Sequence, residues 1–61
     1  MNANFKLVEK KNRLHVHGYF DSRERAEKHL RETIPEYVAK SYFTDKTLTA
    51  EGFEIVPCEA P

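Results

Sequence analysis

One helical segment with a narrow apolar stripe restricts the fold of this chain more than any other feature. Ala26, Leu30 and Ile34 recur at every fourth residue, which places them on one side of a helix. Asp21 precedes this segment as an N-cap candidate, and Glu24 follows three residues later, as a capping box requires. A helix with a single narrow stripe packs against one layer, so we expect the remaining apolar residues to form that layer.

Two alternating segments precede the helix, and a third strand-like segment follows it. Residues 5–9 and 14–20 alternate apolar and polar side chains, and the polar turn at 10–13 joins them, which predicts a β-hairpin. Residues 53–56 predict a third strand that ends at Pro57. A period of two predicts that one face of the sheet, beneath the helix, carries Phe5, Leu7, Leu14, Val16, Phe20, Phe53 and Ile55.

The order of these elements predicts an α+β domain of the β-β-α-β type. We expect a three-stranded antiparallel sheet with the spatial order 3-1-2 and with one face covered by the helix. A parallel pairing of the third strand, with a right-handed crossover, is the alternative. Pro35 disfavours helical geometry at Ile34 and has no amide hydrogen, so we expect a kinked helix or two short ones. The 61 residues form one domain, 1–61, with frayed ends at 1–4 and 58–61.

The composition excludes several classes of protein. A chain that is 33% charged, with two glycines and three prolines, is globular and neither disordered nor fibrous. No apolar run exceeds about three residues, which excludes a transmembrane helix of about 20 residues. The first residues lack the apolar segment of a secretory signal, and the single cysteine, Cys58, has no partner for an internal disulfide. We therefore expect a cytoplasmic protein.

The sheet face away from the helix is the most informative predicted surface. Its candidate contact residues, taken from all three strands, are Val8, His15, His17, Tyr19 and Val56. Apolar patches on a small protein often mark a partner site, and tyrosine is enriched in the cores of interfaces. The leading hypothesis is a non-enzymatic protein-interaction module or adaptor that binds another protein or a second copy of itself. The alternative is a half-solvated face whose valines reflect strand propensity alone.

A basic cluster at the hairpin tip supports a second hypothesis, a nucleic-acid-associated regulator. Its members are Lys6, Lys10, Lys11 and Arg13. A β-ribbon can enter a nucleic-acid groove, and phosphate contacts would make the binding salt-dependent. The whole chain has ten basic and ten acidic side chains, however, with a charge of +3 on residues 1–20 and −3 on residues 33–61. Without a basic excess, this hypothesis ranks second.

The sequence predicts no metal site, no cofactor and no catalytic residue. His15 and His17 project to one side of a strand, as two zinc ligands do, but zinc needs further ligands. Cys58 would lie two strands away, about 9–10 Å across the sheet, and His29 belongs to the helix. The chain has no glycine-rich phosphate loop and no CxxC motif, and it is too short to enclose a pocket of about 300 Å³ easily.

Overall fold

The computed structural model describes residues 3–58, and the predicted α+β fold is confirmed. Strands β1 (Phe5–Glu9), β2 (Asn12–Phe20) and β3 (Phe53–Pro57) form one sheet in the order β2-β1-β3. Both pairings are antiparallel, so the parallel alternative for the third strand is wrong. The helix lies between β2 and β3 in the sequence and packs against all three strands.

The two ends of the described chain meet at one end of the sheet. The Asn4 amide donates to the Phe20 carbonyl at 2.9 Å, and the Cys58 amide donates to the Asn4 carbonyl at 2.8 Å. These two bonds continue both strand pairings by one step. Of the segments that we predict to fray, residues 1–2 and 59–61 lie outside the described residues.

The helix is continuous from Arg23 to Ala39, and its middle is π-helical. Two α-helical parts, α1 (Arg23–Lys28) and α2 (Ile34–Ala39), flank a π-helical segment, His29–Thr33. Proline has no N–H, and its ring collides with the carbonyl four residues before it in an α-helix. The wider π turn therefore lets the chain pass Pro35 without two separate helices. Within residues 3–58 no helix is long and apolar enough to cross a membrane.

The helix begins one residue later than the capping pattern predicts. Ser22 is the N-cap residue, with an extended backbone, and its Oγ accepts a hydrogen bond from the Arg25 amide at 3.2 Å. Asp21 lies outside the helix, with its carboxylate 3.5 Å from the Arg25 guanidinium. Aspartate and serine are both favoured N-cap residues, so the pattern alone does not distinguish two such neighbours.

The core lies between the helix and the sheet, and it is small. Leu7, Ile34, Leu48 and Phe53 form its buried centre. Leu48 comes from the irregular segment 40–49, which follows α2 and leads to the 3₁₀ turn Ala50–Gly52. Partly buried side chains complete the core, namely Phe20, Leu30, Tyr37, Val38, Phe43, Ala50 and Ile55.

Strand β2 does not keep the alternation that the sequence predicts. Its pairing with β1 is regular at the C-terminal end, where Gly18 lies opposite Leu7. The next pair joins Val16 to Val8, which leaves His17 as an extra residue in β2. A second shift in the register follows before the last residue pair between β1 and β2. An extra residue bends a strand and moves the residues beyond it to the opposite face.

The extra residue forms a β-bulge, and four positions that the sequence predicts in β2 are wrong because of this irregular pairing. Leu14, predicted in the core, is 88% exposed. Val16, also predicted beneath the helix, lies opposite Val8 on the other face. His15 and His17, predicted on the outer face, both approach Glu9 on the face that the helix covers. The prediction is wrong at these positions because it assumed an unbroken period of two.

Candidate functional site: a groove beside strand β2

An open groove lies between β2 and the irregular segment 40–49, and we call it the β2 groove. Its volume is about 750 Å³. The strand side of its lining includes Leu14, His15 and His17, and the other side includes Tyr42 and Phe43. The groove exists because the bulge turns this half of β2 and because segment 40–49 folds back to bring Leu48 into the core.

Exposed apolar side chains border this groove. The large apolar side chains with the greatest exposure in the described chain are Leu14 at 88%, Tyr19 at 65% and Tyr42 at 63%. Leu14 and Tyr42 both belong to the β2 groove, whereas Tyr19 pairs with Lys6 on the other face of the sheet. Two apolar groups that remain in water beside one recess are typical of a binding surface.

Inside the groove, a buried carboxylate is hydrogen-bonded to one imidazole and has a second imidazole close to it. The Glu9 side chain is only 8% exposed, although it carries a charge. Glu9 Oε2 lies 2.8 Å from His17 Nε2 and 3.4 Å from His15 Nδ1. A carboxylate only accepts hydrogen bonds, so His17 donates from Nε2. The two histidines therefore compensate the desolvation of this carboxylate.

His17 connects the groove to the core. Its ring meets the Phe53 ring edge to face at 4.8 Å and the Phe43 ring at 5.3 Å, measured between centroids. The His17 side chain is 22% exposed, whereas that of His15 is 62% exposed. Packing thus fixes His17, while His15 is the member of the pair that a ligand can reach.

The charges of the groove are paired within the chain. The hydrogen bond from His17 lowers the pKa of Glu9, against the opposite effect of its burial. At the end of the groove, Lys11 Nζ donates to Asp45. Hydrogen bonds from Lys11 and then Thr47 hold the pKa of Asp45 far below its usual range, and the bond to Asp45 raises the pKa of Lys11.

The five contact residues predicted for the outer face do not form one patch. His15 and His17 lie in the β2 groove, on the opposite side of the sheet. Val8 stays on the outer face but is fully buried, and Val56 is half-buried. Tyr19 alone among the five is an exposed apolar side chain on that face.

Sequence reasoning missed Glu9, Leu14 and Tyr42 as members of the groove. One signal was present, because an isolated glycine within a strand pattern suggests a bulge. Gly18 is that glycine, and it directly follows the extra residue, His17. No local pattern indicates that segment 40–49 lies across this part of the strand.

The basic cluster at the hairpin tip is partly neutralised by the fold. Lys11 is bonded to Asp45, and the Arg13 guanidinium donates two hydrogen bonds to Glu54, at 2.9 and 3.1 Å. The two acidic partners come from the C-terminal half of the chain, which carries the negative charge. Fewer cations are therefore available for phosphates than the sequence implies.

The cluster of Glu9, His15 and His17 is arranged around a hydrogen bond and does not form a metal site. Both imidazoles approach the same carboxylate oxygen, and within residues 3–58 no group of three or more His, Cys, Asp or Glu side chains can hold a metal ion. Comparison with protein-family models, with curated proteins and with solved structures finds no match for this chain. The geometry of the site is therefore the basis on which a function can be assigned.

Proposed function

We propose that this protein is a small, non-enzymatic protein-interaction module that self-associates, with two copies binding through their β2 grooves. The observation that carries the proposal is the 88% exposure of Leu14 at the groove. A strand residue this exposed adds little to the stability of its own chain. Burial of a leucine side chain stabilises an interface by about 1.5–3 kcal/mol.

An exposed apolar side chain lies beside an open groove that has apolar side chains on its other side, which favours a second copy as the occupant. Leu14 protrudes on one side, while Tyr42, Phe43 and Leu48 line the other. In a two-fold dimer the same patch of each subunit meets its copy. Each Leu14 would then enter the groove of the partner, and the exposed Tyr42 ring would be covered in the same step.

The charges of this surface support the same occupant. Lys11 is paired with Asp45, and Glu9 is hydrogen-bonded to His17 and lies 3.4 Å from His15. Two copies can therefore approach without strong repulsion between like charges. A strongly acidic or basic partner would find most charges of the groove already compensated.

The small core of the chain is a further reason to expect association. Domains of about 60 residues bury a small fraction of their surface and are marginally stable alone. An interface of standard size covers about 800 Å² of each copy, roughly a sixth of the 4630 Å² surface of this chain. The apolar side chains that are buried number six among the described residues: Leu7, Val8, Ala26, Ile34, Leu48 and Phe53.

The two surfaces favoured by the sequence have less support. Val8 on the outer face is inaccessible, and half of the basic cluster, Lys11 and Arg13, is bonded to carboxylates. Nucleic-acid binding would require a salt-dependent complex that Lys10→Glu weakens. We expect the self-associating module to work in the cytoplasm, as the composition and single cysteine indicate.

Sedimentation equilibrium over micromolar to millimolar concentrations tests the proposal. We expect a concentration-dependent dimer whose dissociation constant rises about 100-fold or more in Leu14→Ser, because two leucines leave the interface. Tyr42→Ser should also dissociate it. Tyr19→Ser is the matched control, since Tyr19 and Tyr42 are almost equally exposed but lie on different surfaces. A monomer at every concentration, or a dimer that Tyr19→Ser alone dissociates, would contradict the proposal.

A further inference from the structure

We infer that Ser41 is a positioning residue of the proposed interface, because it fixes the turn at the end of α2 that presents the Tyr42 ring to the partner copy. The inference rests on the proposed self-association, in which Tyr42 is covered when two copies meet. Ser41 is exposed but does not line the β2 groove, so its effect on binding acts through its neighbour.

The backbone of Ser41 is left-handed, with a φ of 56°. Within residues 3–58 no other residue has a positive φ. This region of conformational space favours glycine, because a Cβ atom there lies too close to the following carbonyl oxygen. Other residues remain in it only where the surrounding structure holds them, and such strained residues cluster at functional sites. The contacts of Ser41 therefore show what holds the turn and what the turn positions.

Three hydrogen bonds hold this turn. The Ser41 amide donates to the Val38 carbonyl at 3.1 Å, and the Tyr42 amide donates to the Tyr37 carbonyl at 3.0 Å. These are the two bonds of a Schellman motif, which ends a helix at a left-handed residue. The Lys46 ammonium donates to the Ser41 carbonyl at 2.7 Å. The conformation of Ser41 is thus fixed by bonds to residues on both sides of it in the sequence.

The same turn orders the ring of Tyr42. Its centroid lies 5.3 Å from that of the Tyr37 ring, which is the apolar contact that accompanies a Schellman motif. The Lys40 ammonium lies 5.9 Å from the centroid of the Tyr42 ring. Tyr42 nevertheless remains 63% exposed beside the groove. A ring that is ordered before association loses little conformational freedom on binding, so the turn at Ser41 increases the affinity of the dimer.

Sedimentation equilibrium of Ser41 variants tests the inference. Glycine and asparagine tolerate the left-handed conformation, whereas valine, which is comparable to asparagine in size, is strongly disfavoured there. We expect Ser41→Gly and Ser41→Asn to keep the dissociation constant within about twofold of the wild-type value. Ser41→Val should raise it at least about tenfold, since both copies lose an ordered ring. A contact of the serine hydroxyl with the partner would instead make Ser41→Gly as weak as Ser41→Val.

Ser22→Ala is the control for a loss of stability without a loss of position. Ser22 caps the other end of the same helix by accepting a hydrogen bond from the Arg25 amide, far along the helix from Tyr42. Its removal destabilises the helix but should leave the dissociation constant within about twofold of the wild-type value. If circular dichroism shows that Ser41→Val does not fold, Lys46→Ala takes its place. This variant removes the bond to the Ser41 carbonyl and should weaken the dimer about threefold or more.

The outcomes separate the inference from the proposal on which it rests. A folded Ser41→Val variant with wild-type affinity would overturn the inference and leave the self-association intact, as would Ser41→Gly weakening the dimer equally. Equal weakening by Ser22→Ala would also overturn it, because lost stability would then explain the effect. Wild-type affinity of Lys46→Ala, where that variant is the one used, would count in the same way. A wild-type protein that is monomeric at every concentration would instead overturn the self-association itself.

Discussion

The two strand pairings of the sheet differ in how closely they follow the sequence pattern. β1 and β3 pair without interruption over five residues, from Phe5 opposite Pro57 to Glu9 opposite Phe53. β1 and β2 pair with two shifts, and the N-terminal part of β2 departs from alternation. The regular pairing contributes Leu7 and Phe53 to the centre of the core, whereas the irregular strand β2 exposes Leu14 and places two histidines beside the Glu9 carboxylate. Candidate function in this molecule therefore lies where the regular pattern ends.

The largest expected effect contrasts two leucines that simple alternation places on the same face. Leu7 is fully buried in the regular pairing, and Leu14 is 88% exposed beyond the bulge. We predict that Leu7→Ala lowers the free energy of unfolding by about 2–5 kcal/mol. Leu14→Ala should change it by no more than about 0.5 kcal/mol. Urea denaturation at low micromolar concentration, where association is minimal, measures both; equal losses would remove the distinction between the two pairings.

The two histidines of β2 provide the second contrast. His17→Ala removes a hydrogen bond to the buried Glu9 and the ring contacts to Phe43 and Phe53, so we expect a loss of about 1–3 kcal/mol. His15→Ala removes an exposed side chain at 3.4 Å from the same carboxylate and should cost less than about 1 kcal/mol. The same urea titration measures both variants. A His17 variant as mild as the His15 variant would mean that this ring lies outside the core.

These contrasts also indicate how far the sequence determines the fold. The strands and the apolar stripe of the helix follow from local periodicity and are confirmed, as is the antiparallel order that we favour over a parallel pairing, although periodicity alone does not determine that order. The faces of Leu14, His15 and His17 depend on the two register shifts in β2, which periodicity does not contain. The position of Leu48 depends on a non-local contact of an irregular segment with the core, so the groove was not predictable from local patterns.

Gly18 marks the boundary between the regular and irregular parts of β2. A Cβ atom added there would lie 3.0 Å from two ring atoms of Phe20, which covers the glycine. We predict that Gly18→Ala displaces this ring and costs about 1 kcal/mol. Thermal unfolding by circular dichroism measures the effect. A neutral or stabilising substitution would show that the Phe20 ring does not constrain the strand beside the bulge.

The smallest expected effect is the decrease in the free energy of unfolding as the pH falls. Folding lowers the pKa of Glu9, so its contribution is complete above the ordinary pKa of 4.5 and is lost as the pH falls through the lower folded value. Glu9→Gln should therefore flatten the loss of stability below about pH 4.5. Burial lowers the pKa of His29. Its contribution to the free energy of unfolding is therefore complete above pH 6.5, and it is lost as the pH falls through the pKa of the folded state.

Urea titrations at a series of pH values separate these two contributions. His29→Gln should flatten the pH dependence in the range just below 6.5, and Glu9→Gln should act only at more acidic pH. If Glu9→Gln leaves the acid limb unchanged, the carboxylate is not held in its ionised form by the histidines. Electrostatic interactions would then not contribute to the difference between the regular and the irregular pairing.

The orientation of His17 is the central structural claim, and a nuclear Overhauser spectrum tests it most directly. We predict contacts between the ring protons of His17 and those of Phe53 and Phe43, since the ring centroids lie 4.8 and 5.3 Å away. Leu14 methyl groups should show no contact to Leu7. Contacts from His17 to Tyr19, together with contacts between Leu14 and Leu7, would contradict the bulge and the groove that depends on it.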